Sequence, residues 1–137
     1  MRVRIVSRDR LDNSHINDLR EIFESNSWPE ASNVCNALSG LQSTEFLVTA
    51  YHNDKLIGFA RAVGDTFWSA TIDAVCLHKD YQGKGIGSRM VRHLLTFFKD
   101  CTYISVSPND SEAVSFYEGI DFKQVRTGTL LQIDRGE

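Results

Sequence analysis

A mixed α/β fold, an α+β arrangement with one mixed sheet and helices packed on it, is predicted by three observations. Segments with β-type alternation and segments with helical spacing interleave along the 137 residues. With 9 Gly and 2 Pro, the chain is too poor in both for a linker-rich or disordered polymer. A glycine cluster joins a strand pattern directly to an amphipathic helix.

The elements follow in order. Met1 to Val6 sets Val3 and Ile5 between arginines, as a strand with one buried face would. From Asn13 to Glu24, Ile16, Leu19, Ile22 and Phe23 fall at helical spacing. Trp28-Pro29-Glu30 opens a second helix, with the stripe Ala31, Val34, Cys35 and Leu38 and with Gly40 as its stop. Thr44 to Tyr51 and Leu56 to Val63 flank the polar turn His52-Asn53-Asp54-Lys55, which makes a hairpin. A third strand runs from Phe67 to Leu77, and Ile86, Met90, Val91, Leu94, Leu95 and Phe98 then form one broad helical face. Thr102 to Val106 is a short strand, Asp110 caps a helix to Glu118, and Phe122 to Val125 and Thr129 to Ile133 close as strands. The expected order is β-α-α-β-β-β-α-β-α-β-β, in one domain spanning residues 1–137.

Composition removes several function classes. Apolar residues at 42% and charged residues at 24% describe a compact soluble globule, and a net charge of −3 supplies no cationic field for a nucleic-acid backbone. Apolar runs such as Phe46-Leu47-Val48 fall far short of the roughly 20 residues a membrane span needs, and Met1-Arg2-Val3-Arg4 is no apolar leader. A cytoplasmic location is therefore expected. Cys35, Cys76 and Cys101 are scattered, without metal-ligand spacing, and read as reduced, mostly buried thiols; no metal is expected.

The segment Gln82-Gly83-Lys84-Gly85-Ile86-Gly87-Ser88 carries the chemistry. Glycines let backbone N–H groups turn toward one point, and the helix start adds about half a positive charge, so the loop is an anion site suited to a phosphate or pyrophosphate. Lys84 and Arg89 add positive charge, and the Ser88 hydroxyl adds a donor. G-x-G-x-x-G fails, because its third glycine would fall on Ser88 or Met90, and no Gly-Lys-Ser/Thr triplet exists for a P-loop. The spacing of Gln82, Gly85 and Gly87 instead resembles Q/R-x-x-G-x-G/A, the acyl-CoA loop of the GCN5-related N-acetyltransferase superfamily. A second stretch, Asp110 to Phe122, is similar to that superfamily's N-x-x-A-x-x-F-Y-x-x-x-G-F, with Asp110 for Asn and Asp121 at the helix-ending Gly. Asp tolerates the left-handed conformation such a turn requires.

The resemblance implies acetyl-CoA as co-substrate, lying between the strand that ends at Leu77 and the strand Thr102 to Val106. Its pantetheine arm would pair with the backbone of Val75, Cys76 and Leu77, and its pyrophosphate would rest on Gln82 through Ser88. The reaction implied is attack of a small-molecule primary amine on the thioester, with Tyr117 as proton donor to the CoA thiolate and a backbone N–H near Val75 for the oxyanion. Asp73 is the expected base, with His78, Glu45 and Asp65 as weaker candidates, and Phe23 and Trp28 are expected to line an acceptor pocket. Tyr117, Phe23 and Trp28 have packing as the alternative, and Asp73 a structural role. Expected partners are acetyl-CoA and an amine, with a homodimer as the assembly to test. Competing readings are a non-catalytic acyl-CoA module, a nucleotide-binding regulator, and acetylation of a protein or peptide amine.

Overall fold

The computed structural model describes residues 1–125, 128 and 130–135, which form two compact units, Met1–Ser107 and Pro108–Glu137. The first unit holds β1 (Arg4–Ser7), α1 (Ile16–Ser25), α2 (Val34–Gln42), β2 (Phe46–His52), β3 (Lys55–Gly64), β4 (Ser69–Leu77), α3 (Ile86–Thr96) and β5 (Tyr103–Val106). The strands form one five-stranded sheet in the order β1-β2-β3-β4-β5. The first four are antiparallel to their neighbours, and β4 pairs with β5 in parallel.

Side-chain alternation assigns the two faces. Leu47, Tyr51, Phe59 and Cys76 belong to a buried cluster with Leu19, Ile22 and Phe23 of α1 and with Val34, Leu38 and Leu41 of α2. Phe46, one residue from Leu47, points the other way and meets Phe98, just beyond the end of α3, with ring centroids 4.7 Å apart. The hairpin between β2 and β3 turns through Asn53 and Asp54, both with positive φ (49° and 63°), as the twist of antiparallel strands favours.

Two expectations in this unit need correction. Gly40 does not stop α2, which runs on to Gln42, where hydroxyls of Ser43 and Thr44 donate to the Gly40 carbonyl. Cys35 is exposed, because α2 buries Val34, Leu38 and Leu41 and leaves position 35 about 100° off that stripe. Cys76 is buried and Cys101 partly so.

The second unit contains α4 (Ser111–Glu118), capped by Asp110, whose Oδ1 accepts the Ala113 N–H at 2.8 Å. Phe122 to Val125 and the described residues among 129–133 form no strand; Thr129 lies outside the described residues. Val125, Leu130, Leu131 and Ile133 are exposed. β-propensity records a fit to a pleated, half-buried surface, and an isolated pair of strands is marginal without a sheet beneath it.

Candidate active site

The site begins where β4 leaves its neighbour. Pairing with β5 covers Ser69, Ala70, Thr71 and Ile72 and stops there. On the other side of β4, the register with β3 jumps from Ala62↔Ile72 to Arg61↔Ala74, so Asp73 is one residue too many. An added residue bends a strand and increases its twist, and this bulge falls where β4 and β5 part. Asp73 to Leu77 thus carry their β5-facing side into a gap.

Alternation identifies the backbone groups that face the gap. The His78 N–H donates to the Ile57 carbonyl of β3 at 2.7 Å. Counting back by two, Cys76 also turns its polar groups to β3, while Val75 and Leu77 turn theirs to the gap. Gly58 lets β3 come this close: a Cβ there would stand 2.8 Å from Leu77 Cδ1 and 2.9 Å from the Cys76 carbonyl. Of the three residues expected to pair with the pantetheine arm, Val75 and Leu77 present groups to the gap; Cys76 faces β3.

Beyond Leu77 a 3-10 turn, Lys79–Tyr81, leads into the glycine loop. Gly83 and Gly85 have φ of 78° and 82°, a conformation that favours glycine, and a Cβ on either would meet nothing within 4 Å. Gly85 is the N-cap of α3 and uses no side-chain cap, which leaves the first amides of the helix without a capping side chain from that residue. The loop residues Gln82 to Ser88 are gathered at this one helix start, a geometry suited to a phosphate. Arg89 is committed elsewhere, donating to the Val3 carbonyl at 3.1 Å.

Asp73 Oδ2 forms an ion pair with Arg61, whose Nε donates to Thr44 Oγ1 at 3.1 Å. The weaker base candidates have their own engagements. His78 Nδ1 accepts the Asp80 N–H at 3.1 Å and caps the 3-10 turn. Asp65 accepts from the backbone N–H groups of Phe67 and Trp68, and these hold its carboxyl below the ordinary range. Glu45 lies 4.0 Å from Arg8 at the surface. Burial, with a smaller push from the Glu30 charge, raises the Cys76 thiol to about 12, so it is protonated and unsuited to carry an acyl group.

Phe23 and Trp28 meet at the end of α1. The Trp28 N–H donates to the Phe23 carbonyl and the Ser27 N–H to the Glu24 carbonyl, with Ser27 left-handed at φ 57°: a Schellman ending. The two rings stack with centroids 5.9 Å apart. Phe23 is buried and also packs edge-on against Phe59, while Trp28 is partly exposed. In the second unit the same ending recurs: Phe122 donates to Tyr117, Asp121 donates to Glu118, and Asp121 has φ 71°. Tyr117 is buried between the rings of Phe116 and Phe122, and burial raises its hydroxyl above the usual tyrosine value.

Two residues the sequence reading passed over close the site. Asn26 Nδ2 donates to the Leu77 carbonyl, and Gln82 Nε2 donates to both Asn26 Oδ1 and Leu77 O, each at 2.9 Å. Ser25 Oγ accepts the Lys79 N–H at 3.1 Å. Their partners lie more than fifty positions away, and no local spacing signals such contacts.

Comparison with known proteins decides the lineage. A family model described as "Acetyltransferase (GNAT) family" matches residues 13–122. The chain belongs to the acetyltransferase (GNAT) family. It is 32% identical over 117 residues to the "Uncharacterized N-acetyltransferase ycf52" of Gracilaria tenuistipitata var. liui, covering 80% of this chain and 64% of that protein. It is 32% identical over 76 residues to the "Peptidyl-lysine N-acetyltransferase YjaB" of Salmonella typhimurium, covering 56% of this chain and 48% of that one. The chain thus spans less than two thirds of the length of both curated relatives. In fold it is similar to the solved GNAT family protein SP0256 from Streptococcus pneumoniae, with a TM-score of 0.80 at 20% identity, covering 98% of this chain and 99% of that one. At that identity the likeness shows the GNAT fold alone. Within the GNAT frame, the parted β4 and β5 and the loop at the head of α3 are the candidate donor site. No helix among the described residues is long and apolar enough to cross a membrane, and no cluster of metal-ligating side chains occurs among them.

Proposed function

We propose that this GNAT chain transfers an acetyl group from acetyl-CoA to the primary amine of a small molecule. The observation that carries the reading is the division of β4, whose open half leads into two left-handed glycines and the uncapped start of α3. An extended arm with amides pairs with an open strand as another strand would, and the helix start takes the diphosphate. The family match crosses the boundary at Ser107, which supports reading both units as one acetyltransferase domain.

In this reading the neutral amine nitrogen attacks the thioester carbonyl carbon, and the carbonyl electron pair moves to oxygen. The Val75 N–H, on the gap side of β4, stabilises that oxyanion; such donors are typically worth ~10²–10³ in rate. The C–S bond then breaks, the amine proton passes through water to Asp73, and Tyr117 protonates the departing thiolate. Asp73 takes that role through Oδ1, since Oδ2 holds Arg61. Tyr117 has a proton to give at neutral pH, as a tyrosine hydroxyl does, and burial raises it further above its ordinary value of 10.0. A protonated Cys76 supports direct transfer over an acyl-cysteine route. The free thiols support a reducing compartment, the cytosol in the first instance.

A second reading, acetylation of a lysine in a protein, is favoured by the name of the Salmonella relative. A thiol-release assay with acetyl-CoA against aralkylamines, polyamines, amino acids, aminoglycosides and lysine peptides separates the two. Turnover confined to small amines supports the main reading, and turnover confined to peptides replaces it. Tyr117→Phe is expected to lower turnover about a hundredfold, within the ~10²–10⁴ range of general acid catalysis, while acetyl-CoA still binds. Undiminished turnover removes Tyr117 from the mechanism.

A further inference from the structure

The Gln82 side chain heads the loop that would hold a diphosphate, yet its amide is directed at the protein. Both N–H bonds of Nε2 go to neighbours, one to Leu77 O and one to Asn26 Oδ1. Asn26 is equally committed: its Nδ2 donates to Leu77 O and to Ile22 O, each at 2.9 Å, the latter anchoring it to the last turn of α1. Ser25 adds a parallel tie, donating to Ile22 O at 2.8 Å while accepting the Lys79 N–H. With both amide hydrogens of Gln82 used, Oε1 is what remains for a ligand, and an acceptor oxygen repels phosphate.

We infer that Asn26 is a positioning residue for the donor loop: its carboxamide and that of Gln82 interlock across the Leu77 carbonyl and fix where the glycine turn starts relative to β4. The inference rests on the acetyl-CoA reading above. The α1 end suits such a fixture. Ser27 is left-handed, Trp28 is bonded back to Phe23, and the stacked rings keep the helix from extending past position 26. Gln82 therefore serves the diphosphate through its hold on the turn, and the α1 end carries part of the donor affinity without touching the donor.

The test is a double-mutant cycle on the full chain, with acetyl-CoA affinity read by calorimetry. Asn26→Ala and Gln82→Ala are each expected to weaken binding about tenfold, and the double variant no more than the weaker single, because either change dissolves the same interlock. In steady state, Asn26→Ala should raise the KM for acetyl-CoA by the same factor and leave kcat within about twofold, a split that general destabilisation does not produce. Hydrogen exchange at the Gln82 to Ser88 amides without ligand reads the brace by itself, and should accelerate in both single variants. Wild-type affinity in Asn26→Ala, losses that multiply in the double variant, or unchanged loop exchange each overturn the inference. If the wild-type chain fails to bind acetyl-CoA while loop exchange still accelerates in the variants, the brace stands and the acetyl-CoA reading falls. Gln82→Ala changes an exposed side chain and gives a folded control should Asn26→Ala fold poorly.

Discussion

The two halves of β4 share a strand and differ in almost everything else. From Ser69 to Ile72 the strand has β3 on one side and β5 on the other, and Ala70 and Ile72 are buried. From Asp73 to Leu77 it keeps β3 and gives up β5. One unmatched residue separates a half that builds the sheet from a half left with one neighbour, the half to which the proposed function assigns the donor's arm. The cost of opening a strand is met by fixtures at its far end: Gly58 lets β3 close in, and Asn26 and Gln82 satisfy the Leu77 carbonyl.

If the halves divide labour in this way, changes at the two ends should have separable consequences. The largest is expected at the loop. Gly85→Glu places a side chain on a left-handed residue and a carboxylate where the diphosphate would rest, and should weaken acetyl-CoA binding more than about a hundredfold in a chain that still folds. Retained affinity by calorimetry would remove the loop from the donor site. Next, Ile72→Ala empties a buried position in the paired half and should cost about 2–4 kcal/mol of stability by denaturant unfolding. The folded fraction should bind acetyl-CoA as before; a matching loss of affinity would mean that the halves are not independent.

The smallest effect is at the turn that feeds the paired half. The N–H of Trp68, and then that of Phe67, hold the Asp65 carboxyl below its ordinary value of 3.8. A depressed carboxyl contributes stability above the unfolded pKa and loses it as pH falls through the folded one. Asp65→Ala should therefore lower the melting temperature modestly at neutral pH, and the gap between variant and wild type should close under acid conditions below 3.8. A gap of equal size at both extremes of a melting series would assign Asp65 another role.

Much of this was legible in the residues. The hairpin, the amphipathic α3 and the Asp110 cap follow local rules of spacing and capping, and they stand where those rules put them. Asp121 adopts the left-handed conformation its place in the motif required. Local rules failed where a distant partner decides. Phe122 to Val125 has strand composition and forms no strand. Gly40 sits inside a helix for a local reason that its stop signal hid: the hydroxyls of Ser43 and Thr44, three and four residues on, donate to its carbonyl and finish the helix. Asn26 is one more polar residue after a helix until the fold carries it to Leu77. The bulge at Asp73 leaves no trace in the alternation of β4, since it arises from a register that two strands settle between them.

The Leu77 carbonyl has one consequence for reach. An oxygen has two lone pairs, and here both are filled. An extended chain sliding two residues along β4 toward the loop would bring an amide against an acceptor already taken, whereas Val75 still has its carbonyl turned to that side. In the proposed reading the strand therefore works as a ruler with a single legible mark, which would bring the far tip of an acetyl-CoA arm to rest at one depth.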